Sequence, residues 1–178
     1  MANKKFSDFT TKTDSGNVDF LVGIKDSDNV KIAPSNIGGA DTARFNHNFS
    51  HGSNSPSLSY YLPCNSTAES SGAATNETSG IVGLNNGYVS KVRMQVVDTS
   101  GISSSLFATQ TRLIIQVNGS TVHTTAYNNH GTLSLHDSIE FNFSATDAPF
   151  NEGQQVSVRF QADGLWYRTN AMTEHTYT

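Results

Sequence analysis

Apolar and polar residues alternate with a period of two from Gly87 to the end of the chain, and this pattern constrains the fold more than any other feature. In the first of these runs, Tyr88, Val92, Met94 and Val96 share one face, and charged or amide side chains occupy the other. The same alternation recurs in Leu113, Ile115 and Val117, in Ile139, Phe141 and Phe143, and in Val156, Val158 and Phe160. This period is typical of strands with one buried and one wet face. We therefore predict an all-β, antiparallel domain, a β-sandwich or jelly roll.

One turn in this half of the chain can be assigned from its residue types. Asn118 and Gly119 separate the run TRLIIQV from the run STVHTTAY. Both residues tolerate positive φ, which a two-residue type I′ turn requires at its two central positions. The sequence therefore predicts a tight β-hairpin here.

The composition favours a β-rich chain and argues against several classes of partner. Ser, Thr and Asn make up 59 of the 178 residues, and these side chains suit turns and strand faces better than helices. The net charge is −4 and no run of Lys or Arg occurs, so we expect no nucleic-acid partner. No apolar stretch reaches the ~18 residues of a membrane span. The first residues lack the apolar core of a signal peptide, so we expect synthesis in a cytoplasm and no membrane insertion.

Three zones divide the chain. Residues 1–37 contain short β-like runs, residues 38–86 are rich in Gly, Ser and Asn with a short strand near 58–62, and residues 87–178 alternate. A polar stretch as long as the middle zone is uncommon as an ordinary loop, so we predict that it is a linker or that it is ordered only against neighbours. The last zone is predicted to form the jelly-roll knob.

A metal loop and a turn are the two interpretations of the motif DSDN at residues 26–29. A calcium loop of the EF-hand type needs an oxygen ligand at its fifth position and Gly at its sixth, where this chain has Val30 and Lys31. The motif instead predicts a turn that closes a hairpin between Val18–Ile24 and Val30–Ala33. A lone hairpin is marginally stable in water, so we expect it to dock onto another surface. The predicted docking residues are Phe6, Phe9, Phe20, Val22, Ile32 and Pro34.

The run KKFSDFTTKTDSGNVDFLVGIKDSDNVKIAPSNI resembles the amino-terminal segment of many tail-fibre and virion appendage proteins of tailed phages. In that family, a Phe-Ser-x-hydrophobic-Thr start leads into a strand, a D-N-x-K-I return and a P-S-N exit. The distal part is similar to the knob domains of marine phage and cyanophage fibres. There, a GYVSKVRM-like strand, a VNGSTVHTT hairpin and an FNEGQQVSVRF strand recur in a trimeric jelly roll. The resemblance covers residues 1–37 and most of residues 87–178.

The resemblance implies a non-enzymatic virion structural protein, made in the host cytoplasm and assembled as a homotrimer. Residues 1–37 would bind another virion structural protein, and the knob of a short tail fibre or spike would contact a host surface glycan. Host-range fibres are usually longer and carry a repetitive shaft, and none is visible in this sequence. A capsid decoration, head-fibre or baseplate protein is therefore an alternative. A carbohydrate-binding or carbohydrate-active β-sandwich is an alternative of another class.

The only Trp of the chain lies where a turn should join two late strands. Trp and Tyr on a loop can stack on sugar rings, and Arg can pair with acidic glycans. The alternative is that Trp166 plugs the end of the barrel or a threefold interface, since rings of that size are usually buried. The predicted receptor-binding residues are Tyr127, His130, Trp166, Tyr167 and Arg168.

Strand parity predicts which loops meet. If each strand from residue 88 onward crosses the sandwich once, the loops 98–109, 127–131 and 163–169 share one end. The residues displayed there would be Leu106, Phe107, Tyr127, His130, Trp166 and Tyr167. The prediction depends on TLSLHDSIEFNF forming one strand, because a turn at His136-Asp137 would reverse the order of the loops after it.

No motif gives a strong signal for a metal site or a catalytic centre. His47 and His51 have the spacing of helical metal ligands, but no helix is predicted around them, and in a trimer they would have to ring an axis. Cys64 stands alone, so we expect a half-buried small residue without a disulfide. Carboxylates in turns could supply a glycosidase pair, and these are Glu140, Asp147, Glu152, Asp163 and Glu174. Because no nucleophile elbow or phosphate loop occurs, we expect no enzyme, no metal and no cofactor.

Overall fold

The chain forms two compact units, residues 1–39 and residues 40–178, and its described parts are mostly β-structure. The computed structural model describes residues 21–25, 28–32, 41–51, 59–64, 80–100 and 103–178. In chain order the strands are β1 (Leu21–Lys25), β2 (Asp28–Ile32), β3 (Thr42–His51), β4 (Tyr60–Tyr61), β5 (Gly80–Val82), β6 (Gly87–Val96), β7 (Gln110–Val117), β8 (Ser120–Thr124), β9 (Asn128–Asn129), β10 (Ser138–Asn142), β11 (Pro149–Phe150), β12 (Gln155–Ala162) and β13 (Trp166–Tyr177).

The first unit contains the predicted β-hairpin. Strands β1 and β2 pair antiparallel, from Leu21 opposite Ile32 to Lys25 opposite Asp28. This register leaves only residues 26–27 between the paired ends, and these two residues lie outside the described part of the chain. A two-residue connection is the commonest way to join two antiparallel strands. The pairing agrees with the interpretation of the motif DSDN as a turn former.

The second unit is a sandwich of two antiparallel sheets, as the sequence predicts. The first sheet has the strand order β10-β6-β13-β3, and β11 also pairs with β6. The second sheet has the order β4-β12-β7-β8, and β5 and β9 pair with β12 and β7. The long strands β6 and β13 lie side by side at the centre of the first sheet, and β12 and β7 do so in the second. The inward side chains of both sheets form one hydrophobic core.

The alternating pattern predicted the inward residues of three strands correctly. They are Leu113, Ile115 and Val117 on β7, Ile139, Phe141 and Phe143 on and after β10, and Val156, Val158 and Phe160 on β12, all of which are buried. The ring of Phe160 lies 5.3 Å from that of Phe49 on β3, measured between centroids, and 5.9 Å from that of Tyr60. The contact with Phe49 joins the two sheets across the core. Full burial of side chains of this size stabilises the fold by about 1.5–3 kcal/mol each.

In β6 the predicted face is wrong at one end because of a β-bulge. The pairing of β6 with β13 shifts register between Glu174 and His175, and this leaves Ser90 as an extra residue in β6. One extra residue reverses the alternation of side chains between the two faces. Val89 is therefore fully buried, and the predicted Tyr88 is only partly buried. On the other side of the bulge, Val92, Met94 and Val96 are buried as predicted.

The tight hairpin predicted between β7 and β8 is confirmed. Val117 pairs with Ser120, and the two residues between them have φ angles of 48° at Asn118 and 78° at Gly119. Positive φ at both central positions is the signature of a type I′ turn. The Asn118 side chain also accepts a hydrogen bond from the backbone N–H of Gln155 at 2.9 Å, which ties this turn to β12.

The middle zone, residues 38–86, is not a linker throughout, and this corrects the prediction from sequence. Strand β3 pairs with most of β13, and β5 pairs with β12. The short strand predicted near residues 58–62 is confirmed as β4. The sandwich unit therefore begins at residue 40 rather than at residue 87. Residues 52–58 and 65–79 of this zone lie outside the described part of the chain.

Strand β3 was missed because its polar composition hid its alternation. Ala43, Phe45, His47 and Phe49 point inward or are packed against the core, and Arg and Asn residues separate them. Asn is depleted in strands, so the composition alone favoured a linker. The pairing with β13 supplies the backbone hydrogen bonds and the buried face that override this preference.

Candidate functional site

Three loops meet at one end of the sandwich, as strand parity predicts. The backbone N–H of Ala108 donates to the carbonyl of Leu165 at 3.1 Å, which links the loop after β6 to the loop after β12. The backbone N–H of Gly131 donates to the carbonyl of Thr109 at 2.9 Å, which adds the loop after β8. We call this region the loop end, and it comprises residues 97–100, 103–109, 125–131 and 163–168 of the described chain.

The turn at His136 does not reverse the order of the loops. A turn does form there, with φ of 71° at His136, and the backbone N–H of this residue donates to the carbonyl of Val96 at 2.8 Å. However, residues 131–137 form no strand before β10, so β10 makes a single crossing. The parity prediction is confirmed although its stated condition, one uninterrupted strand, is not met.

Asp163 and Gly164 hold two of these loops together. The Asp163 carboxylate accepts hydrogen bonds from the backbone N–H groups of Thr109 at 2.8 Å and Gln110 at 3.0 Å, and from the Thr109 hydroxyl at 2.6 Å. Burial raises the pKa of Asp163, but these bonds outweigh it and hold the pKa below its ordinary value. At Gly164 the backbones approach so closely that a Cβ would lie 2.7 Å from the backbone nitrogen of Ala108.

Trp166 is a buried aromatic residue of the loop end, and its indole N–H begins a series of hydrogen bonds. Its Nε1 donates to Thr111 Oγ1 at 3.0 Å, and this hydroxyl lies 3.1 Å from Nε2 of His130. The other ring nitrogen of His130, Nδ1, lies 2.7 Å from the carbonyl oxygen of Gly131. A carbonyl can only accept, so a neutral His130 carries its proton on Nδ1 and accepts from Thr111 at Nε2. These hydrogen bonds therefore give partners to the indole N–H, the Thr111 hydroxyl and both ring nitrogens of His130.

The burial of Trp166 corrects its assignment as a receptor-binding residue. The side chain is 1% exposed and offers no ring face to a sugar. It closes this end of the core, in line with the alternative interpretation, because a large ring contributes more stability inside the core than in water. Phe107, which was predicted to be displayed, is likewise buried, whereas Leu106 beside it is exposed.

Arg168 is exposed, but its charge is already matched. It lies in a β-bulge of β13 and has a positive φ of 41°. Its guanidinium forms an ion pair with Asp98 and lies 5.4 Å from the ring centroid of the half-buried Tyr167. The backbone N–H of Ser100 lowers the pKa of Asp98 first of all, and the hydrogen bond to Asp98 raises the pKa of Arg168. The guanidinium is therefore a weaker candidate for an acidic ligand than its sequence context indicates.

Tyr127 is the most exposed aromatic residue among the predicted receptor residues. It is 37% exposed, and the guanidinium carbon of Arg112 on β7 lies 4.8 Å from its ring centroid. Arg112 Nε donates to Oε1 of Gln161 on β12 at 2.8 Å. The structure thus brings all five predicted receptor residues to one end, but it displays Tyr127 and Arg168, leaves His130 and Tyr167 half-buried, and buries Trp166.

The outward side of the second sheet holds a second arginine that the sequence analysis did not single out. Arg159 on β12 lies with its guanidinium carbon 4.8 Å from the ring centroid of Tyr61, and Tyr61 donates to Oε1 of Gln116 at 2.9 Å. The six strands of this sheet contain no Asp, Glu or Lys. That absence was visible in the sequence, but it acquires meaning only when pairing brings the six strands together. We call these outward-pointing residues the acid-free face, and they are Tyr61, Arg112, Ile114, Gln116, Arg159 and Gln161, with Tyr127 at the edge. Tyr61, Gln116 and Gln161 are buried, and Arg112, Ile114 and Arg159 are half-buried.

His47 is a core residue, which corrects its assignment as a possible ligand on a trimer axis. It is 2% exposed, and its Nδ1 and Nε2 lie 3.0 Å from the carbonyl oxygen of Pro63 and from Thr173 Oγ1. Both ring nitrogens therefore have hydrogen-bond partners, and burial lowers the pKa of His47. The side chain of His51 lies outside the described part. Within that part, no group of three metal-ligating side chains occurs.

His175 is more deeply buried than His47 and has no hydrogen-bond partner among the described residues. It is fully buried, and its ring centroid lies 4.9 Å from that of Phe45 and 5.0 Å from that of Phe150. Burial, with a smaller contribution from the charge of His47, lowers the pKa of His175 to about 4. The ring is therefore neutral near pH 7 and packs as an aromatic group.

The carboxylates weighed as a glycosidase pair are held by local donors. The pKa values of Glu140, Asp147 and Glu174 lie below their ordinary values, first of all because of hydrogen bonds from Asn142, Ser144 and Arg44, respectively. A glycosidase general acid needs a raised pKa, which none of these three has. Cys64 is half-buried as predicted, and burial raises the pKa of its thiol to about 11.

The predicted docking residues are located only in part. Val22 lies in β1 opposite Lys31, and Ile32 lies in β2 opposite Leu21. Their side chains are outside the described structure, as are the entire residues Phe6, Phe9, Phe20 and Pro34. The structure therefore locates the hairpin that carries two of these residues, and the docking role stays a prediction.

Comparisons with known proteins assign no family to this chain. The described residues include no helix that is long and apolar enough to cross a membrane. A scan against protein-family models and a search of curated proteins each gave no match.

Proposed function

We propose that the protein is a non-enzymatic virion structural protein, a short homotrimeric tail fibre or spike that contacts a glycan on the host surface. The division of the chain into two compact units carries this proposal. The sandwich has a hydrophobic core of its own, whereas β1 and β2 form a separate two-stranded sheet. Two strands alone bury too little apolar surface to be stable, so a docking role for residues 1–37 accounts for the hairpin.

The loop end supports a contact role for the sandwich. Asp163 and Trp166 hold its loops through buried or multiple hydrogen bonds, and Tyr127 and Arg168 remain exposed on this ordered surface. An ordered surface loses little conformational entropy when it binds, which favours affinity. Three copies on one appendage would multiply weak contacts through a high effective concentration.

A capsid decoration protein is the second candidate, and the burial of Trp166 favours it. A decoration protein strengthens a shell by contact with other virion proteins and needs no exposed ring for a receptor. The loop end has one well-exposed aromatic side chain, Tyr127, among the residues predicted from sequence. The two candidates differ in where the protein sits on the particle.

Incorporation into particles tests the proposal. Tagged full-length chain, and a tagged chain that begins at residue 40, are produced in infected host cells, and the particles are purified. We expect only the full-length chain to copurify with particles. Labelling of the tail supports a fibre and labelling of the head supports a decoration protein. Absence of the full-length chain from particles would contradict both.

Sedimentation of the purified full-length chain tests the trimer. We expect the purified protein to sediment as a complex of three chains, because a small sandwich with a docking hairpin gains stability and avidity from self-association. A stable monomer at all concentrations would contradict this part of the proposal and would leave the particle-incorporation test unaffected.

A further inference from the structure

An exposed ion pair connects strand β13 to the loop that follows β6. The guanidinium of Arg168, near the start of β13, donates to the carboxylate of Asp98, which lies two residues after the end of β6. The backbone N–H of Val97 donates to the carbonyl of Arg168 at 2.9 Å, so the two segments are also joined through their main chains. The side chains of Arg168 and Asp98 are 56% and 27% exposed. Both charged groups therefore lie side by side where a ligand can reach them.

Local contacts fix the position of both side chains. The Asp98 carboxylate accepts a hydrogen bond from the backbone N–H of Ser100 at 2.8 Å. The guanidinium carbon of Arg168 lies 5.4 Å from the ring centroid of Tyr167, and the β-bulge of β13 holds Arg168 at a positive φ of 41°. Positive φ is uncommon for a residue other than glycine. Groups that are already ordered lose little conformational entropy when a ligand binds, which favours affinity.

The ion pair keeps hydrogen-bonding capacity on both of its members. Arg168 uses Nη1 for Asp98, and Asp98 uses Oδ1 for Ser100 and Oδ2 for Arg168. A guanidinium has five N–H donors, and a carboxylate has about four lone-pair positions on its two oxygens. Both groups thus have more donors and acceptors than these bonds use. The pair presents N–H donors and carboxylate acceptors next to each other at the loop end.

This arrangement favours neighbouring hydroxyl groups over an anion. A hydroxyl both donates and accepts, so one hydroxyl of a sugar ring can donate to the carboxylate while its neighbour accepts from the guanidinium. An anionic group would be attracted by Arg168 and repelled by Asp98, and the two effects oppose each other. The half-buried ring of Tyr167 beside the pair adds an apolar surface for the C–H groups of a sugar.

We propose that Asp98 and Arg168 form a subsite for a neutral saccharide, in which two neighbouring hydroxyl groups of one sugar ring bond to the carboxylate and the guanidinium. This inference rests on the proposed attachment function and names the class of glycan and the residues that contact it. It replaces the expectation from sequence that Arg168 pairs with an acidic glycan, because Asp98 already supplies the counter-charge. The saccharide undergoes no reaction at this subsite.

Retention of the full-length protein on immobilised oligosaccharides tests the inference. The probes are trisaccharides of mannose, galactose and glucose, the O-methylated form of each, and a sulfated trisaccharide, all attached at equal density. We expect at least one neutral trisaccharide to retain the protein. Its O-methylated form should bind at least about tenfold more weakly, because methylation removes the hydroxyl donors to a charged acceptor. The sulfated probe should bind no more tightly than the neutral one.

Substitution of each partner should change the preference for charge. Asp98→Asn removes the negative charge and leaves Arg168 without a counter-charge. We expect it to weaken binding of the neutral trisaccharide by about tenfold and to strengthen binding of the sulfated probe. A variant that only disturbed the loop would weaken both. Arg168→Asn removes the guanidinium with a residue that tolerates positive φ, and it should weaken binding of the neutral trisaccharide at least about tenfold.

A second exposed ion pair on the same sheet provides the matched control. Arg44 pairs with Glu174 at 2.8 Å, and Glu174 lies six residues after Arg168 on β13. Arg44→Gln changes the net charge as Arg168→Asn does but leaves the loop end intact, so it should not change retention of any probe. Thermal melting of each variant separates a loss of binding from a loss of folding, and Arg168→Lys, which keeps the charge without the planar fork, should bind with intermediate affinity.

Four outcomes would overturn the inference. Equal retention by the O-methylated probes would remove the role of the hydroxyl groups, and tighter binding of the sulfated probe to the unmodified protein would make the ligand acidic. Equal losses in Arg44→Gln and Arg168→Asn would show that net charge is responsible. Retention by none of the probes, with the full-length chain still present on particles, would refute the saccharide subsite alone, whereas absence from particles would refute the attachment function.

Discussion

The two sheets of the sandwich share one core, yet their outward faces follow different rules. On the first sheet, charges of opposite sign alternate across neighbouring strands. Arg44 pairs with Glu174 at 2.8 Å, Glu174 lies opposite Lys91, and Lys91 pairs with Glu140 at 3.3 Å. On the second sheet, the outward residues include two arginines and no carboxylate. Each charge of the first face thus has a neighbour of opposite sign, whereas the two arginines of the second face have no carboxylate partner among the described residues.

The difference indicates that the outward face of the first sheet is arranged for contact with water. Exposed ion pairs contribute little to stability, about 0–1 kcal/mol each, but they keep a surface soluble and prevent unwanted association. We therefore interpret the first face as a solvated surface. On the second face, Tyr61, Gln116 and Gln161 are buried, and the two arginines lie against Tyr rings instead of carboxylates. Four predictions test the contrast between the two sheets.

The largest expected effect concerns the core that the two sheets share. Phe160→Ala should lower the free energy of unfolding by about 3–5 kcal/mol, because Phe160 is fully buried and packs against Phe49 of the other sheet. Urea unfolding followed by Trp166 fluorescence and by circular dichroism measures it. Both signals should report a single shared transition. Two separate transitions would mean that the sheets are independent units, and Ile114→Ala on the outward face is the control with a smaller loss.

The second prediction is a loss of stability in acid that originates on the inner side of the first sheet. The pKa of His175 is about 4 in the fold against 6.5 in the unfolded chain. The unfolded chain therefore takes up a proton at a higher pH than the folded chain does. The resulting decrease in the free energy of unfolding is absent above pH 6.5, grows as the pH falls toward 4, and reaches about 3 kcal/mol there. The midpoint of urea unfolding, measured at several pH values between 7 and 4, reports this decrease in stability.

Two variants isolate the contribution of His175 from that of the carboxylates. His175→Leu should reduce the loss of stability between pH 6.5 and pH 4. His136→Asn, which changes an exposed histidine at a position of positive φ that Asn tolerates, should keep the full loss. An unchanged acid dependence in His175→Leu would show that another group controls it.

The third prediction concerns the charge ladder. Glu174→Lys removes the partner of Arg44 and places a cation opposite Lys91, so it should destabilise the fold by about 1 kcal/mol. The loss should shrink at high salt because the repulsion is screened. Asn170→Lys is the matched control, since Asn170 is exposed on the same strand opposite Gln95. Equal losses in the two variants would mean that the ladder has no energetic role.

The smallest effect is expected on the acid-free face. Arg112→Gln should change the free energy of unfolding by less than about 1 kcal/mol, because only a partly exposed cation–π contact and one hydrogen bond are lost. The same urea titration measures it. A loss of several kcal/mol would make Arg112 a structural residue and would remove the contrast between the two faces.

The predictions from sequence succeeded where local chemistry controls the structure. Alternation identified the inward side of β7, β10 and β12, and Asn118-Gly119 specified the type I′ turn, because side-chain period and φ preferences act within a few residues. Strand parity then brought the three loops of the loop end together. The prediction failed at β3 and at Tyr88, where pairing with β13 and one inserted residue changed the outcome. Both outcomes depend on pairing with β13, which is far from these residues in sequence.

The candidate site shows the same division. Residue type identified Trp166, Tyr127 and Arg168 as possible contact residues, but residue type does not tell whether a ring faces water. The indole N–H of the buried Trp166 donates to the hydroxyl of Thr111, and this hydroxyl is bonded to His130; both residues are far from Trp166 in the chain. The acid-free face arises in a similar way, since six separate strands must pair before their common lack of carboxylates becomes one surface.

Alternating hydrophobicity and turn-forming residues were thus sufficient to specify an antiparallel all-β chain with a leading hairpin, because these signals act over a few neighbouring residues. The long-range pairing of β3 with β13, the burial of Trp166 and the gathering of Arg112 and Arg159 on one face required contacts between distant segments. Burial and charge are properties of the assembled surface, and they are set by which strands become neighbours.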